Sequence, residues 1–272
     1  MRARVSRFLK ERIKLIRGFY TSVSGLITLQ NEQEVITNNI ANVNNTGYKK
    51  RQLTKQSFED VMISNRQKLV GDKYVKNDIG NLNLGVKVND VDTAFTQGSF
   101  KATDSDTDFA IDGRGFFVAK NGNQEVYTRD GNFKINQQGY LITNDGAEVL
   151  GSNIATGARE HIYIGASKFS LDAQNNINID GIGPTHKLMT ADFSNNDYKS
   201  LEPIGDNYIT KNTPIYDAVV NVRQNFLEGS NVDPSAELVK LMEIKRQFET
   251  NQKFVKMQDE TVQKAATELG RV

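Results

Sequence analysis

A chain of 272 residues with 38% hydrophobic content has room for one large or two modest domains around a core of ordinary size. The absence of cysteine excludes disulfides, thiolate metal sites and cysteine nucleophiles together, and no run of eighteen apolar residues is present to span a bilayer as a helix. The formal charge of +1 is unevenly spread: residues 1–14 (MRARVSRFLKERIK) carry six Lys or Arg and one Glu, a local charge of +5 that leaves the remainder at about −4.

That basic start is followed by neither the apolar core nor the small-residue cleavage site of a secretory signal. No later basic patch is interleaved with aromatics, so nucleic-acid binding is not expected, and without an apolar run of spanning length neither is insertion of a membrane helix. His161 and His186 are far apart in sequence and lack acidic neighbours at metal-site spacing, so both read as surface or turn residues.

From Gly18 to about Ala41 the apolar residues Phe19, Val23, Leu26, Leu29, Ile36 and Ile40, followed by Val43, recur mainly in steps of three, four and seven, with Gln33 in the stripe. The spacing predicts a long helix with one narrow apolar seam. It stops in Ala41-Asn42-Val43-Asn44-Asn45-Thr46-Gly47-Tyr48-Lys49, where clustered Asn and then Gly favour turn and left-handed conformations. Residues 53–84 are polar and weakly patterned, and 77–85 (NDIGNLNLG) reads as a loop leading into a strand.

From Gly85 the texture becomes that of a β domain. Val86, Val88 and Val91 are strand formers, and Gln97-Gly98-Ser99-Phe100 reads as a turn. Over 104–151, Asp112-Gly113, Asn121-Gly122, Asp130-Gly131, Gln138-Gly139 and Asp145-Gly146 punctuate short apolar runs, the spacing of a β-meander. Further short strands are expected at 161–164, 168–171, 177–180, 186–193 and 207–210. Asp104-Ser-Asp106-Thr-Asp108 has the alternating carboxylates of a calcium loop. Phe109 and Gly115, however, stand where that loop requires Gly and a bidentate Glu. Gly113-Arg-Gly115 lacks the helix and third glycine of a dinucleotide site. Acidic pairs are numerous, but the sequence singles out none as a glycosidase dyad. No catalytic, cofactor or metal residue is nominated.

The last forty residues announce a second long helix. Asp233 suits the N-cap, Pro234 the first helical position and Glu237 the first turn, while Gly270 marks the end. Leu241, Phe248, Val255, Val262 and Leu269 recur every seven residues, with Ile244 and Ala265 at the intervening offset. Asn251 and Gln258 interrupt that offset with polar side chains. At 1.5 Å per residue the helix would span roughly 55 Å, longer than a small domain is wide. A stripe so narrow cannot order so long a helix without a partner. Pairing the two terminal helices, within one molecule or between neighbours, buries both stripes.

The segments at the two ends resemble one family, the axial proteins of the bacterial flagellum: basal-body rod, hook and hook-associated proteins. Ile16-Arg17-Gly18-Phe19-Tyr20-Thr21-Ser22 with Ser24-Gly25-Leu26, and Asn38-Asn39-Ile40-Ala41-Asn42 through Thr46-Gly47-Tyr48-Lys49, look like its N-terminal signature. Leu227-Glu228-Gly229-Ser230-Asn231-Val232-Asp233 and Arg246-Gln247-Phe248-Glu249-Thr250-Asn251-Gln252-Lys253 look like its C-terminal one. The stretch from Asp108 to Phe117, continued by Tyr127-Thr128-Arg129-Asp130-Gly131-Asn132-Phe133, resembles the β domain shared by rod and hook proteins. The resemblance implies a basal-body rod subunit, proximal or distal, since there is no room for the additional domain of a hook protein. It further implies a helical homopolymer forming a torque-transmitting tube, contacts with other rod and hook proteins, and passage through the flagellar export apparatus without cleavage, to the basal body. The expected organisation is a leader (1–14), an N-terminal helix with its signature (15–52), an extended subunit-contact region (53–84), a β-rich domain (85–213), and a C-terminal linker and coiled-coil helix (214–272). The rival reading is a secreted β-rich module that binds or hydrolyses cell-wall glycan, with its helices serving oligomerisation.

Residues 1–14 fall outside the resemblance, which starts at about Ile16. In related chains the residue before Ile-Arg-Gly is the initiator methionine, so Leu15 stands at a start position and suggests a TTG codon. Lys10-Glu11-Arg12 can be encoded by AAGGAGAGR, which contains a ribosome-binding sequence, and only Ile13 and Lys14 separate it from Leu15. Translation is therefore expected to begin at Leu15. Intact mass spectrometry of the protein from its native host should show methionine in place of Leu15, and peptides covering Arg2 to Lys14 would refute this.

Overall fold

The computed structural model describes residues 2–68, 74–165, 167–180, 182–193, 197–205, 207–210, 212–216 and 220–269. It is a mainly β chain with one long helix at each end, α1 (Arg2–Ala41) and α2 (Pro234–Leu269). The residues divide into two compact units. One contains 1–38, 51–92 and 235–272, and the other 39–50 and 93–234. Residues 85–92, expected in the β domain, thus belong with the helices, because Val86–Thr93 forms a two-stranded ribbon with Arg51–Ser57.

In the first unit α1 starts sixteen positions before Gly18, since Arg, Lys, Leu and Glu are good helix formers and no breaker intervenes. α2 starts at Pro234, whose fixed φ and missing N–H suit a first helical position. The stop expected at Gly270 and the side chain of Leu269 lie outside the described residues. Burial along α2 follows the expected period: Ile244 is buried, and Leu241, Phe248, Asn251, Val255 and Gln258 are half-buried, whereas Val262 is 47% exposed. On α1, Leu29 and Ile36 are buried and Val23 and Leu26 half-buried, but Phe19 is 40% exposed and Gln33 is exposed. The protected face keeps Leu29 and Ile36 of the stripe and adds the buried Ser22 and Thr28 and the half-buried Gly18 and Gly25, small residues that allow close approach.

A polar stripe on α1 meets the ribbon. Ser24 Oγ accepts from the backbone N–H of Val86 at 3.3 Å, and Glu32 pairs with Lys55 at 2.5 Å. Val61–Lys68 and Tyr74–Leu82 form a separate antiparallel pair within the region read as loop or extended chain, and the second strand covers part of 77–85, read as a loop leading into a strand. Val61 and Met62, at its start, are exposed, so no buried face imposes alternation there.

The second unit is an antiparallel β structure. Its longest path runs, in spatial order, through the strands Phe169–Leu171, Asn176–Ile179, Gly183–Leu188, Glu148–Asn153, Phe116–Asn121, Gln124–Thr128, Asn207–Ile209 and Glu202–Ile204. Phe116, Phe117, Val118 and Ala119 are all fully buried, so the run Phe-Phe-Val-Ala has apolar neighbours on both faces. Phe117 joins a cluster with Phe109, Phe133 and Leu141, while Phe116 and Val118 join Tyr127, Phe193 and Tyr208 on the other side. The turn at Asp130-Gly131 needs its glycine for space, since a side chain at 131 would run into the carbonyl oxygen of Phe109. The chain returns through Asn221–Gln224, paired with Phe109–Asp112, and Phe226–Glu228, paired with Phe100–Ala102. That return delivers the C-terminal signature beside the segment 39–50.

Candidate functional site: a clasp of the two chain ends

The site is assembled from segments far apart in sequence, all within the β-containing unit. Beyond α1 the chain turns at Gly47, whose φ of 68° is left-handed, and a side chain there would stand 2.4 Å from the backbone of Arg129 and Asp130. Only glycine fits. Its N–H donates to the carbonyl of Glu228 at 2.8 Å, and Thr46 Oγ1 donates to Asp130 Oδ1 at 2.5 Å. Tyr48 reaches back to Asn39, its hydroxyl donating to Oδ1 at 3.1 Å, and Asn45 Nδ2 donates to Asn42 Oδ1 at 2.7 Å.

This turn delivers Lys49 into the interior, where its side chain is 0% exposed. Its Nζ donates to Glu228 Oε1 at 2.6 Å and to the carbonyl of Thr96 at 2.8 Å. Glu228 is equally buried. Its Oε1 also accepts from the Gly98 N–H at 2.9 Å, and its Oε2 accepts from Arg129 Nη1 at 3.2 Å. Arg129 is 3% exposed, donates from Nη2 to the carbonyl of Gly113 at 2.9 Å, and lies over the ring of Phe116 with 5.3 Å to the centroid. Two cations therefore share one carboxylate out of contact with water. Burial holds Lys49 below the usual lysine range; Glu228 opposes that shift and Arg129 adds to it.

Beside the ion cluster, Asn231 ties three chain segments. Its Oδ1 accepts from the Lys50 N–H at 2.7 Å, and its Nδ2 donates to the Ala94 carbonyl at 2.7 Å and to Thr96 Oγ1 at 2.8 Å. Both hydrogen-bonding groups of the amide are used, which neither Asp nor Leu could reproduce.

Three family descriptions match the chain: "Flagella basal body rod protein" over 19–49, "Flagellar hook protein FlgE/F/G D1 domain" over 110–183, and "Flagellar basal body rod FlgEFG protein C-terminal" over 223–268. The chain is 32% identical over 268 residues to flagellar basal-body rod protein FlgG of Bacillus subtilis, covering 92% of this chain and 97% of that protein. The chain belongs to the flagellar basal-body rod protein family. It is also 35% identical over 269 residues to rod protein FlgF of Caulobacter vibrioides, covering 94% of this chain and 98% of the relative. A further match, 41% identical over 144 residues, is to flagellar hook protein FlgE of Helicobacter mustelae, and covers 50% of this chain and 31% of that protein. The clasp takes one charged residue from each matched region: Lys49 from the first, Arg129 from the second and Glu228 from the third.

The structure brings some signature residues together and leaves others apart. Asn39, Gly47 and Val232 are buried, Asn42, Thr46, Tyr48 and Asn231 half-buried, and Asn38, Ala41 and Asp233 exposed. Of the seam residues, Ile40 is half-buried in this unit, and the others lie on the helices described above. Asn251 lies on α2, in the other unit. The three charged residues at the centre stand within the signature strings but were not nominated individually. The one available signal was in the first string, where Lys49 is the single charge among polar neighbours; the other two strings also carry Arg114 and Asp233, which nothing in the sequence separates from Arg129 and Glu228.

Removing one partner of a fully buried ion cluster leaves the others uncompensated. Glu228→Gln is therefore expected to lower the stability of the β-containing unit by about 3–5 kcal/mol. Asp112→Asn, which breaks the half-exposed pair with Arg223, should cost under about 1 kcal/mol. Urea unfolding followed in the β unit checks both, and equal losses would refute the central role of Glu228.

Proposed function

We propose that the two terminal helices are the polymer contacts of a rod subunit, which assembles with copies of itself into a helical tube that transmits torque. Family membership makes the chain a structural subunit of the flagellar basal-body rod, not an enzyme, located in the basal body of the bacterial flagellum. The observation that carries the finer reading is the surface of α2. Over a length of about 54 Å it leaves Leu238, Val239, Met242, Phe254, Met257 and Val262 between 45% and 60% exposed. Apolar surface of that extent on a helix marks contacts with other molecules. Head-to-tail contacts that do not close on themselves build filaments, the geometry a rod requires.

The rod and hook names among the relatives support other rod and hook proteins as neighbours in the assembly. The absence of cysteine, and helices whose seams are too narrow to fold strongly alone, suit a chain threaded unfolded through the flagellar export apparatus. Among the described residues no helix is long and apolar enough to cross a membrane. The relatives named above include no glycan-binding or glycan-hydrolysing protein, and nothing in the site favours that rival reading.

Phe248 tests the proposal because it sits mid-seam on α2, outside the β-containing unit. Phe248→Asp should abolish incorporation into basal bodies and swimming while leaving the melting of the β unit within about 0.5 kcal/mol of the parent. Comparable loss of β-unit stability would assign the helix to the monomer core and refute the polymer role.

A further inference from the structure

Asn251 and Gln258 are the two polar interruptions of the α2 seam, and both are seated on glycines of α1. A methyl group on Gly18 would stand 2.4 Å from Gln258 Nε2, and one on Gly25 would stand 3.4 Å from Asn251 Nδ2. The glycines are seven residues apart and so are the carboxamides, and as the chain number rises on one helix it falls on the other. The helices are therefore antiparallel at this point, and the same heptad step carries both contacts.

We infer that these four residues form a register lock, in which each carboxamide of α2 is accepted opposite a glycine of α1 and nowhere else along the seam. The seats do not exist for the sake of hydrogen bonding. Gln258 Oε1 is buried and has no hydrogen-bond partner among the described residues, so the carboxamide weakens the pairing relative to an apolar residue. What it supplies is selectivity. A slip of one heptad in one direction keeps Gln258 on a glycine but sets Asn251 opposite Glu32, whose carboxylate is already held by Lys55. A slip in the other direction keeps Asn251 on Gly18 but carries Gln258 past it, where α1 has no further glycine. Only one register fills both seats.

The lock decides which apolar residues remain outside the pair. With Gly18 and Gly25 turned toward α2, Phe19 and Ile27 stay 40% and 56% exposed on α1, and Phe254 and Met257 stay exposed on α2. A slipped register would present a different set. The register lock therefore fixes the face offered to neighbouring molecules, although its existence does not depend on what those molecules are.

The chain contains no cysteine, which makes disulfide trapping in the full-length protein unambiguous. Gly18→Cys with Gln258→Cys reports the observed register and Gly18→Cys with Ala265→Cys the slipped one, and both leave the seat of Asn251 on Gly25 intact. Under mild oxidation the first pair should give an intrachain disulfide about tenfold more than the second, the ratio set by leaving one polar group unsatisfied. Adding Gly25→Leu to the first pair should reduce its disulfide severalfold, and adding Asn251→Gly as well should restore it by exchanging the large and small partners. Equal yields for the two reporters, disulfides only between chains or none at all, an unaffected Gly25→Leu background, or failure of the exchange to restore the yield would each overturn the lock.

Discussion

The buried carboxylate of Glu228 is the constraint on which the β-containing unit depends. One oxygen receives the Lys49 ammonium and the Gly98 N–H, and the other receives the Arg129 guanidinium. An ion removed from water is unfavourable by several kcal/mol unless its partners are in place. Residues 49, 98, 129 and 228 consequently have to arrive together or not at all. Through them the segment after α1, the first strands, the meander and the returning C-terminal strand become one cooperative body, with the last strand closing over the first. The glycines at 47 and 131 belong to the same closure, because each marks a place where one backbone presses on another.

The helical unit is built on the opposite principle. Its buried seam is one residue wide and interrupted by carboxamides, and its packing against the ribbon is polar, through Ser24 and Glu32. Such a seam specifies how the helices meet more strongly than it stabilises them. A subunit that has to form contacts with its neighbours benefits from this division. The β unit satisfies its buried charges internally, while the helices keep apolar surface exposed.

The turns of the meander were legible because Asp-Gly and Asn-Gly favour turns through the local backbone, whatever surrounds them. The period of α2 was legible for a similar reason: Leu241, Phe248 and Val255 form a stripe that depends only on helix geometry. The hairpin 61–82 was not legible, because at its exposed end no buried face imposes alternation. On α1 the stripe from Phe19 to Ile40 gave the helix correctly, yet the protected face also takes in Ser22 and Thr28 and leaves Phe19 40% exposed. The side that allows closest approach is the one carrying Gly18 and Gly25, and closeness of backbones leaves no hydrophobic signature.

By itself the sequence determined the family, the helical ends and the β-meander between them, because these follow from local patterns and recognisable strings. The tertiary structure alone decided that Lys49, Arg129 and Glu228 meet without water, and that Asn251 and Gln258 sit on glycines. A charge or a carboxamide reads in sequence as a surface residue, and only the position of its partner, 179 residues away for Lys49 and Glu228, turns it into an interior one.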